Sequence, residues 1–349
     1  MLEHLDGVEY VVGVDTHKAS YTAAVLSRAG AELETISVAS DAFGHSKLLA
    51  FAERAGPGPR LWAIEGTGSF GRGLTTFLLE KGENVGEIDR PARPARRNGA
   101  KSDELDAVRA AREALSRPYL SQPRRRGLRE ALRVLVRTRG TAVRAKSVGI
   151  CHLKSLIVTA PCSLRDQLRT KSDVRLVPKC ARLRTTVHQS PEHRATIAAI
   201  RATARRILWL EAEAQDHASA IELLVKEIAP RLLEEVGVGP LTAAELIIAW
   251  SHPGRVRSEA AFAQMAGVAP IPASSGQVTR HRLNRCGDRH LNCALHQIVL
   301  ARIFHHDETR AYYERRRAEG RSPKEIKRCL KRYLARRLFR LLEAAAMAS

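Results

Sequence analysis

Four carboxylates stand out by position. Asp15 closes an apolar run, Val8 to Val14, and Glu65 closes another, Leu61 to Ile64. Asp103 and Asp106 lie three residues apart in a segment of helical periodicity, which puts both on one helical face. Acids at strand ends beside an acidic helix face are the hard oxygen donors that Mg2+ prefers. Two such ions can hold the attacking and leaving oxygens of a phosphodiester transfer. Each acid alone has a plainer use: Asp15 as a turn residue, Asp103 or Asp106 as charges favoured near a helix N-terminus. Together, in a strongly basic chain, they point to a metal site.

The elements that must position them read as α/β. Val8–Val14, Tyr21–Leu26 and Leu33–Val38 are short β-branched runs separated by turn signals at His17-Lys18 and Ala29-Gly30, which predicts an antiparallel meander. A helix over Phe43–Ala55 stops at Gly56-Pro57-Gly58-Pro59. A strand at Leu61–Ile64, a helix at Leu74–Glu80 and a strand at Val85–Ile88 follow, then a helix from Ser102 to Ser116. Pro118 and Pro123 mark a boundary. Beyond it, Leu128–Val158 and Pro191–Ile228 have helical spacing and read as a helical hairpin around a polar connection, with a coiled coil as one form of it. From Pro230 the chain opens on Val236-Gly237-Val238-Gly239-Pro240, a Gly-rich turn feeding a helix N-terminus, which suits either a phosphate or a plain helix connector. Gly267–Arg289 is loop-rich, and helices follow near Arg289–His305 and Pro323–Ala346. The expected domains are 1–122, 123–229 and 230–349.

Composition narrows the partners. The 349 residues carry 58 Lys+Arg against 37 Asp+Glu, a net charge of +21 that repels itself unless a polyanion neutralises it. Nucleic acid is the leading partner. Apolar stretches are short and interrupted by Arg or Glu, which speaks against a membrane span, and MLEHLDGVEY has no secretory-signal pattern. The six cysteines form no CxxC pair, so reduced thiols and a cytoplasmic protein are expected. Cys151, His152 and Cys162 match no common zinc spacing.

Several segments resemble the DEDD insertion-sequence transposases. Gly13-Val14-Asp15-Thr16-His17-Lys18, Ile64-Glu65-Gly66-Thr67-Gly68 and Lys101-Ser102-Asp103-Glu104-Leu105-Asp106-Ala107 carry the likeness at the N-terminal end. Gly237-Val238-Gly239-Pro240, Ala266-Gly267-Val268-Ala269-Pro270, Ser275-Gly276 and Arg282 to Leu291 continue it at the C-terminal end in the same order. One departure is Asp288, where the family usually has Asn after the glycine. The resemblance implies a RuvC-like, RNase-H-fold N-terminal domain with Asp15, Glu65, Asp103 and Asp106 holding Mg2+, one or two ions. It further implies a mostly helical C-terminal transposase domain with a nucleophilic serine at Ser275, adjoined by Ser274. Family members are recombinases guided by a structured bridge RNA, so DNA, a guide RNA and a dimeric or tetrameric assembly are the implied partners.

Basic stretches carry the expected binding. Between Arg310 and Arg340 there are thirteen Lys/Arg against Glu314, Glu319 and Glu325, interleaved with Tyr312, Tyr313, Tyr333 and Phe339. Such residues give salt-sensitive phosphate contacts and aromatic faces for bases; Arg315, Arg316 and Arg317 lead this set. Arg124, Arg125, Arg126, Arg129, Arg133, Arg137 and Arg144 read as a second basic face. Arg280, His281, Arg282 and Arg285 follow Ser275 closely enough to offset phosphate charge. A sugar-kinase or actin-like ATPase shares the Gly-Val-Asp-Thr start but fits the charge poorly. A Holliday-junction nuclease would leave residues 230–349 unused, and a non-catalytic nucleic-acid-binding protein would leave the four acids idle.

Overall fold

The computed structural model describes residues 3–88, 102–124, 126–169, 172–273 and 281–347. The chain divides into two compact units, Met1–Arg125 with His252–Arg257, and Arg126–Ser251 with Ser258–Ser349.

The first unit is built on strands β1 (Tyr10–Thr16), β2 (Ser20–Ser27) and β3 (Glu32–Ala39), helix α1 (Ala42–Ala55), β4 (Arg60–Glu65), α2 (Arg72–Glu80), β5 (Asn84–Ile88) and α3 (Asp103–Ser116). The sheet order is β3-β2-β1-β4-β5. β1 to β3 form the expected antiparallel meander, and β4 and β5 add in parallel to β1. Central strands covered on both faces need apolar residues at successive positions, not alternate ones. Val11, Leu61 and Ala63 pack with Ala107, Ala111 and Ala114 of α3 on one face. Val12, Val14, Trp62 and Ile64 pack with Leu48, Phe51, Leu74 and Leu78 of α1 and α2 on the other. Alanines let α3 lie close to the sheet. At Gly13 a Cβ would stand 2.0 Å from the Ala107 carbonyl oxygen and 2.6 Å from the Ala111 nitrogen, so only glycine permits the approach.

The His252–Arg257 segment completes this unit from far along the chain. Arg255 pairs with Glu87 at 2.7 Å, both side chains 4 % exposed, and Tyr119 Oη donates to the Gly254 carbonyl at 2.8 Å. A buried charge pair needs its partner to offset lost hydration.

The second unit is helical: α4 (Leu128–Val158), α5 (Cys162–Gln167), α6 (Asp173–Ala181), α7 (Pro191–Ile228), α8 (Pro240–Trp250) and α9 (Glu259–Met265). A two-residue ribbon, β6 (Ile271–Pro272) and β7 (His281–Arg282), precedes α10 (Arg289–His305), α11 (Asp307–Ala318) and α12 (Pro323–Met347). α4 and α7 run antiparallel, with Lys146 paired to Glu211 at 2.8 Å and Gly149 set against Ile207. Buried Ile197, Ile200, Ala204, Ile207, Ala214, Ile221 and Val225 lie three, four or seven apart, a heptad-like seam. The connection between the two long helices is not simply polar. Leu164, Leu168, Leu176, Val177 and Cys180 of its short helices join the core cluster of Leu153, Ile197 and Ile200.

All six cysteines are free thiols, and burial pushes that of Cys180 up to about 11. A thiol held protonated is unreactive. Iodoacetamide at neutral pH should therefore modify exposed Cys151, Cys162, Cys286 and Cys293 in the folded protein, and Cys180 only after denaturation, as read by peptide mass spectrometry.

Candidate metal centre

Two parallel strand ends and one helix start meet on one face of the sheet. β1 and β4 pair in register through Val14 and Ile64, so Asp15 and Glu65 occupy the next step on adjacent strands. Side chains alternate along a strand, so Asp15 follows Val11 and Gly13, and Glu65 follows Leu61 and Ala63, onto the face covered by α3. Thr16 Oγ1 donates to the Glu65 carbonyl at 2.8 Å and ties the two ends together. α3 begins at Asp103 because Ser102 caps it, its Oγ accepting from the Leu105 nitrogen at 3.2 Å. Asp103, Glu104 and Asp106 fill its first turn, where the helix dipole favours negative charge.

His17, in the turn between β1 and β2, stands among these acids. Its Nε2 is 3.1 Å from Asp15 Oδ2 and 3.4 Å from Asp103 Oδ1. The three ligand atoms of Asp15, His17 and Asp103 lie within 4.8 Å of one another, and they are the one such group among the described residues. Cys151, His152 and Cys162 therefore do not assemble into a zinc site. Asp106 and Glu65 are not members of the group, although the charge of Asp106 acts on Asp15. Asp106 spends one oxygen on Arg109 at 2.7 Å.

The electrostatics of the group favour a cation. Burial pushes the Asp15 carboxyl above its ordinary range, His17 opposes that shift, and the charges of Asp103 and Asp106 add to it. His17 Nε2 is itself buried and faces both carboxylates. A ring nitrogen and two carboxylates turned toward one point fit a divalent ion. The cluster is thus able to hold a metal, and its N,O,O donor set suits Mn2+ as well as Mg2+. His17 escaped the sequence reading because His17-Lys18 registered only as a turn. The available signal was alternation: two residues past Asp15, it returns to the same face.

Elsewhere the sequence-predicted residues separate into groups. Ser275, Ser274, Arg280 and Arg125 lie outside the described residues. The ribbon on either side of the segment that holds Ser274, Ser275 and Arg280 pairs Ile271 with Arg282 and Pro272 with His281. Its base is fixed where Gly287 crosses Gly267: a Cβ on Gly287 would stand 2.3 Å from the Gly267 nitrogen. Asp288 caps α10, accepting from the His290 and Leu291 nitrogens at 2.8 and 3.1 Å. Asn performs the same capping, so the substitution relative to the family pattern keeps the geometry. The Gly237–Pro240 turn acts as a helix connector, with Gly239 capping α8 through Thr242.

The arginines differ in what they can offer. Arg124, Arg126, Arg282, Arg285, Arg315 and Arg317 are exposed. Arg316 pairs with Glu319, and Arg133 with Glu130 at 2.6 Å. Arg129 does not belong to an open basic face. It is buried, donating to the Ile248 carbonyl at 2.8 and 3.2 Å, because the turn that carries Leu132 packs on α8. Phe339 is likewise no stacking platform, being buried against Phe262 with ring centroids 5.6 Å apart. Tyr333 is 57 % exposed, edge-on to Tyr312. Among the described residues, no helix is long and apolar enough to cross a membrane.

Comparison with known families agrees at both ends of the chain. Residues 12–160 match the DEDD transposase family model, which spans all four acids and His17. Residues 229–314 match a second model, described as transposase, IS116/IS110/IS902 family. No curated protein matches the chain. With the acid cluster inside one match and the ribbon that bounds Ser275 inside the other, the chain belongs to the IS110 family of transposases.

Proposed function

We propose that this transposase cuts and rejoins DNA by metal-supported phosphodiester transfer through a covalent serine–DNA intermediate, directed by a structured RNA. The observation that carries the reading is the Asp15–His17–Asp103 group, assembled where the C-terminal end of β1, parallel to β4, meets the start of α3. The strand order, with an antiparallel meander extended by two parallel strands, supports an RNase-H-like first unit.

In this reading Asp15, Asp103 and His17 hold the ion, with Glu65 and Asp106 beside them. A bound divalent cation supplies Lewis-acid polarisation of the phosphate and charge neutralisation. The chain's own residues do the rest. Ser275 Oγ attacks phosphorus, the Oγ–P bond forms and the P–O3′ bond breaks. The serine proton ends on the departing 3′ oxygen as a 3′-OH. Rejoining is the reverse, with a 3′-OH attacking the phosphoserine and Ser275 recovering its proton. The phosphodiester energy is kept in the link, so no nucleotide hydrolysis is needed. Exposed Arg282 and Arg285, close in sequence to Ser275, offset phosphate charge. Arg315, Arg316 and Arg317 hold the polyanion backbone, and the working assembly is a dimer or tetramer.

A denaturing gel with labelled element-end DNA and transcript from the DNA flanking the coding region tests this. Wild type should give a protein–DNA adduct, Ser275→Ala should lose it, and Ser274→Ala should keep it. Loss on Ser274→Ala alone would move the nucleophile by one residue. Cleavage that needs the acids but neither serine would make the enzyme a metal-assisted hydrolase of the junction-nuclease type.

A further inference from the structure

A cleft of about 220 Å3 lies in the second unit, where α4, α8 and α10 meet. Arg137, Arg139 and Arg144 of α4, Thr242 and Glu245 of α8 and His290 of α10 line it. Its charges can be paired off. Glu245 is held by Arg137 in a two-pronged contact of 2.6 and 3.0 Å, with His290 Nδ1 at 3.7 Å. That pair is self-neutralising, which leaves Arg139 and Arg144 in excess. Arg139 Nε is buried with no hydrogen-bond partner among the described residues. Arg144 gives one N–H to Thr141 Oγ1 at 3.1 Å and is otherwise exposed, with most of its five donors open. Thr242 stands in the first turn of α8, so the positive end of that helix reaches the rim.

We propose that this cleft is a phosphate subsite for the nucleic-acid backbone, with Arg139 and Arg144 as its principal donors. A buried guanidinium nitrogen without an acceptor is costly, and a planar fork matches paired phosphate oxygens. The volume falls below the roughly 300–1,000 Å3 of pockets that enclose a whole small molecule, so it fits one group of a larger ligand. A chain of net charge +21 makes a polyanion that ligand. The inference rests on nucleic acid as the partner and is independent of where the strand is cut.

Fluorescence anisotropy over a salt series, with a DNA duplex in one arm and a structured RNA hairpin in the other, tests it. Each neutralised phosphate contact contributes about 0.9 to the slope of log K against log salt on duplex DNA. Arg139→Gln and Arg144→Gln should each flatten the slope by about that amount and weaken binding several-fold, with unchanged melting curves. Arg144 is exposed, so its variant remains informative if Arg139→Gln folds poorly. Glu245→Gln removes a negative charge and releases Arg137, so it should steepen the slope. A change confined to one arm identifies DNA or RNA as the occupant. Unchanged slopes in folded variants would overturn the subsite alone, whereas wild type binding neither polymer would overturn the nucleic-acid reading with it.

Discussion

Asp15→Asn should lose strand cleavage by about 1,000-fold or more while melting at or above the wild-type temperature. On the function proposed above, the loss follows from withdrawing a metal ligand from a reaction that draws several kcal/mol from charge stabilisation, at about 1.4 kcal/mol per tenfold. The stability follows from the same carboxylate's surroundings. Burial raises the Asp15 pKa, His17 works against this, and Asp103 and Asp106 add to it. Because the folded-state value lies above the unfolded one, Asp15 contributes stability that is complete below the ordinary value of 3.8 and lost as pH rises through the folded pKa. At neutral pH the ionised group is therefore a cost to the metal-free fold, and Asn removes it. The melting-temperature gap between variant and wild type should close on acidification. Added Mg2+ or Mn2+ should raise wild-type Tm by mass action and leave Asp15→Asn unmoved. Glu104→Gln, in the same helical turn but exposed and outside the ligand group, should retain both activity and metal response.

Gly13→Ala should be strongly destabilising to the first unit. The added Cβ meets the Ala107 carbonyl oxygen at 2.0 Å and the Ala111 nitrogen at 2.6 Å, both backbone atoms that cannot rotate aside. Overpacking of this kind costs typically about 1–3 kcal/mol, and backbone-to-backbone contact places Gly13 at the upper end or beyond. α3 must move off β1, and Asp103, one turn before Ala107, moves with it. Thermal melting should show the lower stability, and the metal-induced rise in Tm should disappear even where the variant remains folded. Trimming Ala111 to Gly should not rescue it, because the clash with the Ala107 carbonyl remains.

Much of this was legible in the residues because local signals and packing agree. Val8 to Val14 and Leu61 to Ile64 read as apolar strands, and Val11 to Val14 and Leu61 to Ile64 are buried on both faces. The three-residue spacing of Asp103 and Asp106 and the strand-end positions of Asp15 and Glu65 are legible as local pattern, and of the four acids Asp15 and Asp103 stand in the ligand group with His17. What escaped depended on tertiary partners. His17 looks like a turn residue until α3 brings Asp103 to it. Arg129 and Arg137 look like neighbours of Arg133 and Arg144 until α8 presents the Ile248 carbonyl and Glu245. The short helices around Leu164 and Leu176 carry too few apolar positions to announce themselves, and gain their burial from α4 and α7. No local pattern could assign His252–Arg257 to the first unit, since what holds that segment there is pairing with Glu87 and Tyr119.

The central claim, that the carboxylate cluster of the first unit is the metal centre of the transposase, is tested most directly by anomalous diffraction from crystals soaked in Mn2+. The account predicts a peak flanked by the carboxylates of Asp15 and Asp103 and the ring of His17, absent from Asp15→Asn crystals under the same soak. A saturated soak with no peak at this cluster, or one undiminished in the variant, would contradict it.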